Sequence, residues 1–453
     1  MSTPSRQIDR DRLAQVHMRE RQRYIDSHPL CRAQHERSQA HWLNGVPMHW
    51  MTDWGLPFPL TVRQTSGATL IDLDGHACAD FCLGDTGAMF GHAPAPIAAA
   101  LNATAAAGLT FMLPNEYTAR AGELLADRFG LPCWQMTLTA SDANRAVVRW
   151  SRAISGRDKI LVFDGCYHGT VDDVFVRAEG GCVVPRPGQV GQIVDVATHA
   201  RVVEFNDLAA LETELAHGDV ACLLAEPVMT NAGMVLPETD FWPRARALCA
   251  RHGTLLALDE THTLSSGPAG HARQLGIAAD FLTLGKAIAG GVPCGLFGFT
   301  ASVRARMLDV LAAKPAGHSG MGTTLAANAL ATRALVACLE SVMTPQAFAH
   351  MNRLAGELAS ELETVLERHG LPWNVVRVGA RVELSLRAQP ARTARESLEA
   401  ADAAIEHALH LYLLNRGVLI APFHDMMLIS PATTRVHVDQ LLQAFDSCLR
   451  ELT

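Results

Sequence analysis

Residues 280–299 read DFLTLGKAIAGGVPCGLFGF. Two short apolar runs, 281–284 and 295–299, flank a lysine that is followed by small residues and glycines. Neither run alternates apolar with polar positions, the pattern of strands buried on both faces of a sheet. A lysine closing such a strand has its amine partly withdrawn from water, and the glycines beyond it let a planar ligand come close to the main chain. That setting suits a lysine used as a covalent nucleophile, although strand-end lysines also snorkel to the surface in ordinary proteins. Of the 38 lysines and arginines only Lys159, Lys286 and Lys314 are lysines, which favours chemistry at Lys286.

The same unalternated runs recur upstream as ILVF (160–163), ACLLAEPV (221–228) and TLLALDE (254–260). Between them lie segments of helical periodicity, DANRAVVRWSRAI (142–154), LAALETELAHG (208–218) and FWPRARALCARHG (241–253). Strands alternating with helices predict an α/β domain with a mainly parallel sheet, here over residues 84–330. Residues 331–453 change character, with helical stretches (RLAGELASELETVLERHG, DAAIEHALHLYLLNRG) separated by strands (VVRVGARVELSLR, VLIAP), which predicts a smaller α+β domain. Residues 1–83 combine a charged helical arm, an irregular tryptophan-rich segment and a hairpin, TLIDLDGHACADF, turning at Asp74 and Gly75.

Composition narrows the function. The chain of 453 residues is 49% hydrophobic and 19% charged, as expected of a globular protein, and its formal charge of -8 with no basic run excludes nucleic acid as the main partner. The 11 cysteines are scattered without a CxxC pair, fitting a reducing cytoplasm rather than a disulfide framework or a zinc site. No apolar run has the length of a signal segment or a spanning helix, so neither export nor a membrane partner is expected. There is no GxSxG elbow and no HExxH, and His252 and His262 lack a third ligand, so no metal is expected.

Asp259 closes the run TLLALDE at the carboxyl edge of the predicted sheet, where α/β proteins bind ligands. It reads either as a cap for the next segment or as a buried carboxylate that keeps a pyridine nitrogen protonated; with Lys286 on the following strand, the second reading is preferred. Thr139, Ala140 and Ser141 lie between a strand-like segment and a helix, where first-turn N–H groups and two hydroxyls bind an anion or simply cap the helix. In DGCYHGT, Tyr167 is placed to stack on a flat ring while Gly169 allows close passage, and His168 reads as a packed or hydrogen-bonded histidine more readily than a catalytic one.

These motifs, taken in order with GATLIDLDGHACADF, LLAEPV and GTTLAANALA, resemble the class III aminotransferases of fold type I, which include glutamate-1-semialdehyde aminomutases and amine transaminases. The resemblance implies a seven-stranded, mainly parallel sheet flanked by helices, with a smaller domain built from the N- and C-terminal segments. It implies pyridoxal 5′-phosphate bound covalently to Lys286, its ring nitrogen paired with Asp259 and its ring under Tyr167. It implies a homodimer in which Thr324, with Thr323 in reserve, reaches the phosphate of the neighbouring subunit's cofactor. Glu226 of the Glu-Pro pair stands near the site, as a structural carboxylate or a catalytic one.

The chain departs from the family's pattern in two places. Thr139-Ala140-Ser141 puts alanine where glycine is common, and Thr261-His262 stands where many relatives have an apolar residue behind the ring. Thr261 is expected to pack there through its methyl, and no role is assigned to His262. Trp50, Trp54, Phe58, Phe111 and Met112 are expected either to line an apolar entrance or to pack at a subunit interface, and Phe423 and His424 occupy a segment where some relatives carry an arginine. The expected reaction is amino transfer from an amine or amino acid, with hydrophobic or aromatic donors favoured, to a keto acid or aldehyde by alternating half-reactions. The alternatives are an aminomutase that moves the amino group within one molecule and, remotely, a catalytically silent binding subunit.

Overall fold

A computed structural model describes residues 8–192 and 195–453. Packing divides the chain into two compact units: Ala95–Pro345 with Ala391–Glu399, and the chain up to Pro94 with Gln346–Pro390 and Ala400–Thr453.

The first unit is built on a seven-stranded sheet. In chain order its strands are β1 (Cys133–Thr137), β2 (Lys159–Phe163), β3 (Ala200–Val203), β4 (Val220–Ala225), β5 (Leu255–Asp259), β6 (Phe281–Leu284) and β7 (Gly295–Phe299). In space they run β1-β7-β6-β5-β4-β2-β3. The β4, β5 and β7 side chains are buried throughout, as the unalternated apolar runs predict. Pairing is parallel from β6 to β3, whereas β7 is antiparallel to both β6 and β1. The reason is local: residues 285–294 form only a short 3-10 turn and a loop, too little chain for the helical crossover that a parallel return needs.

Helices cover this sheet with one apolar face each. Ala140–Ser155 buries Ala143, Ala146, Val147, Val148 and Trp150, is capped by Thr139 and stops at Gly156, which takes the left-handed conformation a helix end favours. Phe241–Arg251 buries Phe241, Trp242, Ala245 and Leu248, and the Phe241 ring meets Phe163 and Phe205 in an aromatic cluster. Chain direction then puts the ends of β1, β2, β4, β5 and β6 along one edge, and the loops that leave them carry the site.

The second unit combines N-terminal and C-terminal segments of the described chain. The strands Val62–Ser66, Thr69–Asp72 and Ala77–Asp80 form an antiparallel meander that Val418–Leu419 extends in parallel. Helix Arg10–Ser27 packs on Ala403–Leu414, and its buried Glu20 accepts bonds from Asn415 and Arg416. His28 Nε2 and His76 Nδ1 stand 3.1 and 2.9 Å from the same oxygen of buried Asp72, tying the arm to the hairpin. Among the described residues no helix is long and apolar enough to cross a membrane.

Candidate functional site

Asp259 is the last residue of β5, and its register partner on β6 is Thr283, three positions before Lys286. Strand pairing therefore brings a carboxylate and an amine to one edge. Four donors converge on Asp259. Oδ1 accepts from Thr261 N at 3.0 Å and Thr261 Oγ1 at 2.5 Å; Oδ2 accepts from Asn144 Nδ2 at 2.7 Å and pairs with His168 Nδ1 at 3.1 Å. Burial by itself penalises the charged carboxylate, but His168, Thr261 and Asn144 outweigh that cost and draw the Asp259 pKa down to about 2. It is a buried, ionised group held in one orientation.

Besides the methyl packing expected of it, Thr261 uses its hydroxyl to hold Asp259. Asn144 is the residue that sequence reasoning missed: it also donates to the His168 carbonyl at 3.0 Å, fastening the loop after β2 to the helix. A signal existed, since Asn144 is a polar side chain on the apolar face of an amphipathic helix. His168 is buried, hydrogen-bonded and in contact with Asp259, which agrees with its reading as a hydrogen-bonded histidine.

Lys286 follows β6 with φ at 49°, a left-handed conformation that residues bearing a side chain rarely adopt. Its Nζ lies 2.7 Å from Nε2 of His262, which is buried on the turn leaving β5. A Cβ on Gly285 would come within 2.7 Å of the Ala140 Cβ. Ala140 is therefore accommodated by the glycine that faces it.

Thr139 caps the helix Ala140–Ser155, with Oγ1 accepting from Asp142 N at 3.1 Å. The first-turn N–H groups beside it have no intrahelical acceptor and carry the positive end of the helix dipole. Ser141 Oγ accepts from Thr170 N at 3.0 Å, and a Cβ on Gly169 would meet that oxygen at 2.1 Å. The loop 164–170 therefore lies directly against the helix N-terminus. Tyr167, on the same loop, is 38% exposed, with Phe175 and Arg186 beside its ring.

Glu226 is turned inward, bonded to Thr230 Oγ1 and, at 3.1 Å, to Asn231 Nδ2; burial raises its pKa. Its bonds are those of a carboxylate that stabilises its own turn. Thr323 and Thr324 line a depression of about 670 Å³ together with Phe111, Met112 and Met136, all within the first unit. In the second unit, Trp50 and Trp54 share a depression of about 510 Å³. Phe58 is a core side chain, 8% exposed, its ring 5.1 Å from that of Tyr24; Phe423 is 43% exposed beside His424.

A family model described as aminotransferase class-III matches residues 51–449. Among solved structures, a glutamate-1-semialdehyde-aminomutase from Pseudomonas aeruginosa PAO1, as its K286A variant in complex with PMP, is 45% identical with a TM-score of 0.96, over 98% of this chain and 100% of that one. A β-phenylalanine aminotransferase from Variovorax paradoxus is 27% identical with a TM-score of 0.85, over 96% and 97% of the two chains. An omega-transaminase from Sphaerobacter thermophilus is 28% identical with a TM-score of 0.87, over 94% and 99%.

Proposed function

The chain belongs to the class-III aminotransferases, and from that premise we propose that it is a pyridoxal 5′-phosphate enzyme that transfers an amino group from an amine or amino acid to a keto acid or aldehyde. The observation that carries the reading is that Lys286 and a buried, four-donor Asp259 follow or end adjacent strands at the carboxyl edge of one sheet. When bound, pyridoxal phosphate supplies an aldehyde for amines and a protonated ring that takes up the electron pair left by a breaking Cα–H bond.

The residues present fit that group. The helix N-terminus at Ala140–Ser141 offers N–H groups to a phosphate, and Gly169 and Gly285, where a Cβ would clash with Ser141 and Ala140, let the neighbouring loops pack directly against that N-terminus. Asp259 holds a fixed negative charge for a ring nitrogen, with His168, Asn144 and Thr261 keeping it ionised. Lys286 presents the amine that bonds the cofactor and, once displaced, moves the Cα proton. Tyr167, on the loop beside the helix N-terminus, would stack on the ring. A second subunit completes the site, with Thr324, or Thr323, directed at the phosphate of its neighbour.

Hydrophobic or aromatic amines are the donor class we infer, supported by the exposed Phe111 and Met112, which share one depression with Thr323 and Thr324. The second reading, an aminomutase acting within one molecule, is favoured by the 45% identity to the Pseudomonas enzyme over the whole of that chain. Visible absorbance of the purified protein separates the two. A cofactor band that bleaches with an amine and returns with pyruvate supports transamination. A band unresponsive to every external donor, together with turnover of glutamate-1-semialdehyde without an acceptor, supports the mutase. A protein that takes up no pyridoxal phosphate refutes both.

A further inference from the structure

The contact between Lys286 and His262 extends this reading, on which it rests. His262 Nε2 stands 2.7 Å from Nζ, with the imidazole buried on the turn after β5 and the lysine main chain fixed in its left-handed conformation. A free lysine holds its proton to about pH 10.4, and the ammonium has no electron pair with which to attack a carbonyl. An imidazole, which titrates near 6.5, is a base matched to neutral conditions when it lies within hydrogen-bond reach.

From this geometry we propose that His262 is the positioning residue that takes the proton the Lys286 ammonium must release before its nitrogen bonds to the cofactor's aldehyde carbon. The step balances without another reactant. Nζ passes one proton to Nε2, its freed electron pair forms the C–N bond, and the carbonyl π pair moves to oxygen. That oxygen leaves as water with two of the three ammonium protons, one of them by way of Nε2, and the third stays on nitrogen.

Nearby ionisable groups on this edge hold bonds of their own. Asp259 and His168 are bonded to each other, Glu260 accepts from the amides of His271 and Ala272, and Glu226 is held by Thr230 and Asn231.

The scarcity of lysine makes the test direct, because Lys314, which is exposed, and Lys159 serve as internal references. The full-length protein, stripped of cofactor, is labelled with acetic anhydride across a pH series, and modification of each lysine is quantified by peptide mass. His262→Gln keeps a hydrogen-bonding group but takes up no proton near neutrality; His262→Phe removes both properties. The expected result is that Lys286 labelling at neutral pH, relative to Lys314, falls about tenfold or more in both variants and loses the component that follows imidazole ionisation. Unchanged profiles in both variants overturn the proposal, and so does a wild-type profile in His262→Gln with loss only in His262→Phe, which assigns the histidine a hydrogen bond and no proton. Uptake of pyridoxal phosphate by the wild type, read separately by its visible band, tests the cofactor reading itself.

Discussion

Lys286 and Asp259 make unequal demands on the chemistry, and their variants should separate. Lys286→Ala should cut turnover by roughly three orders of magnitude while leaving the circular dichroism spectrum unchanged, since the amine alone supplies both the bond to the cofactor and the proton transfer. Asp259→Asn keeps the shape and loses the charge, so cofactor retention should persist in part while turnover falls about a hundredfold or more. Retention of full activity by either variant removes that residue from the assignment. The His168 contact bears on pH. Because the folded-state pKa of Asp259 is lowered, its contribution to stability is fully present above the ordinary carboxylate value of about 3.9 and is lost as pH falls through about 2. His168→Phe removes a principal cause of that lowering, so the acid limb of unfolding, followed by circular dichroism, should move to higher pH. It should also cost about 3 kcal/mol in denaturant unfolding, as expected when one partner of a buried pair is deleted.

At the scale of elements, the loop 164–170 and the helix Ala140–Ser155 act as a single part. Gly169 is left-handed at φ 80°, and an added Cβ would meet the Ser141 Cα at 2.8 Å as well as its hydroxyl, so flexible side-chain movement alone does not relieve the clash. Gly169→Ala should therefore separate the loop from the helix N-terminus. A lowered affinity for pyridoxal phosphate, with a loss of about 1–2 kcal/mol in stability, is expected, and equilibrium binding with thermal unfolding measures both. The sheet itself was largely legible, because runs such as 221–225 and 255–258 carry the apolar pattern in consecutive residues. The reversal of β7 was less so: direction depends on what connects two strands, and the run 295–299 looks alike whichever way it points.

For the whole molecule, the shared site proposed for a dimer has a test that no single chain supplies. Chains carrying Lys286→Ala and chains carrying Thr324→Ala are each impaired; mixed after dissociation, a hybrid dimer collects both defects in one site and regenerates an unaltered site in the other. Activity of the mixture above that of either parent supports a site completed across subunits. Activity equal to the mean of the parents places Thr324 elsewhere.

Composition and local pattern by themselves determined that this chain forms a sheet of buried strands, and that Asp259 ends one of them and Lys286 follows closely on the next, because burial on both faces is written in neighbouring residues. The charge on Asp259 and the surroundings of Lys286 were decided by tertiary structure. Asn144, His168 and Thr261 reach one carboxylate from a helix, a loop and a turn, and His262 meets Lys286 across two adjacent strands. Hydrogen bonds act over about 3 Å, and only the order and direction of the strands bring residues so distant in sequence to that separation.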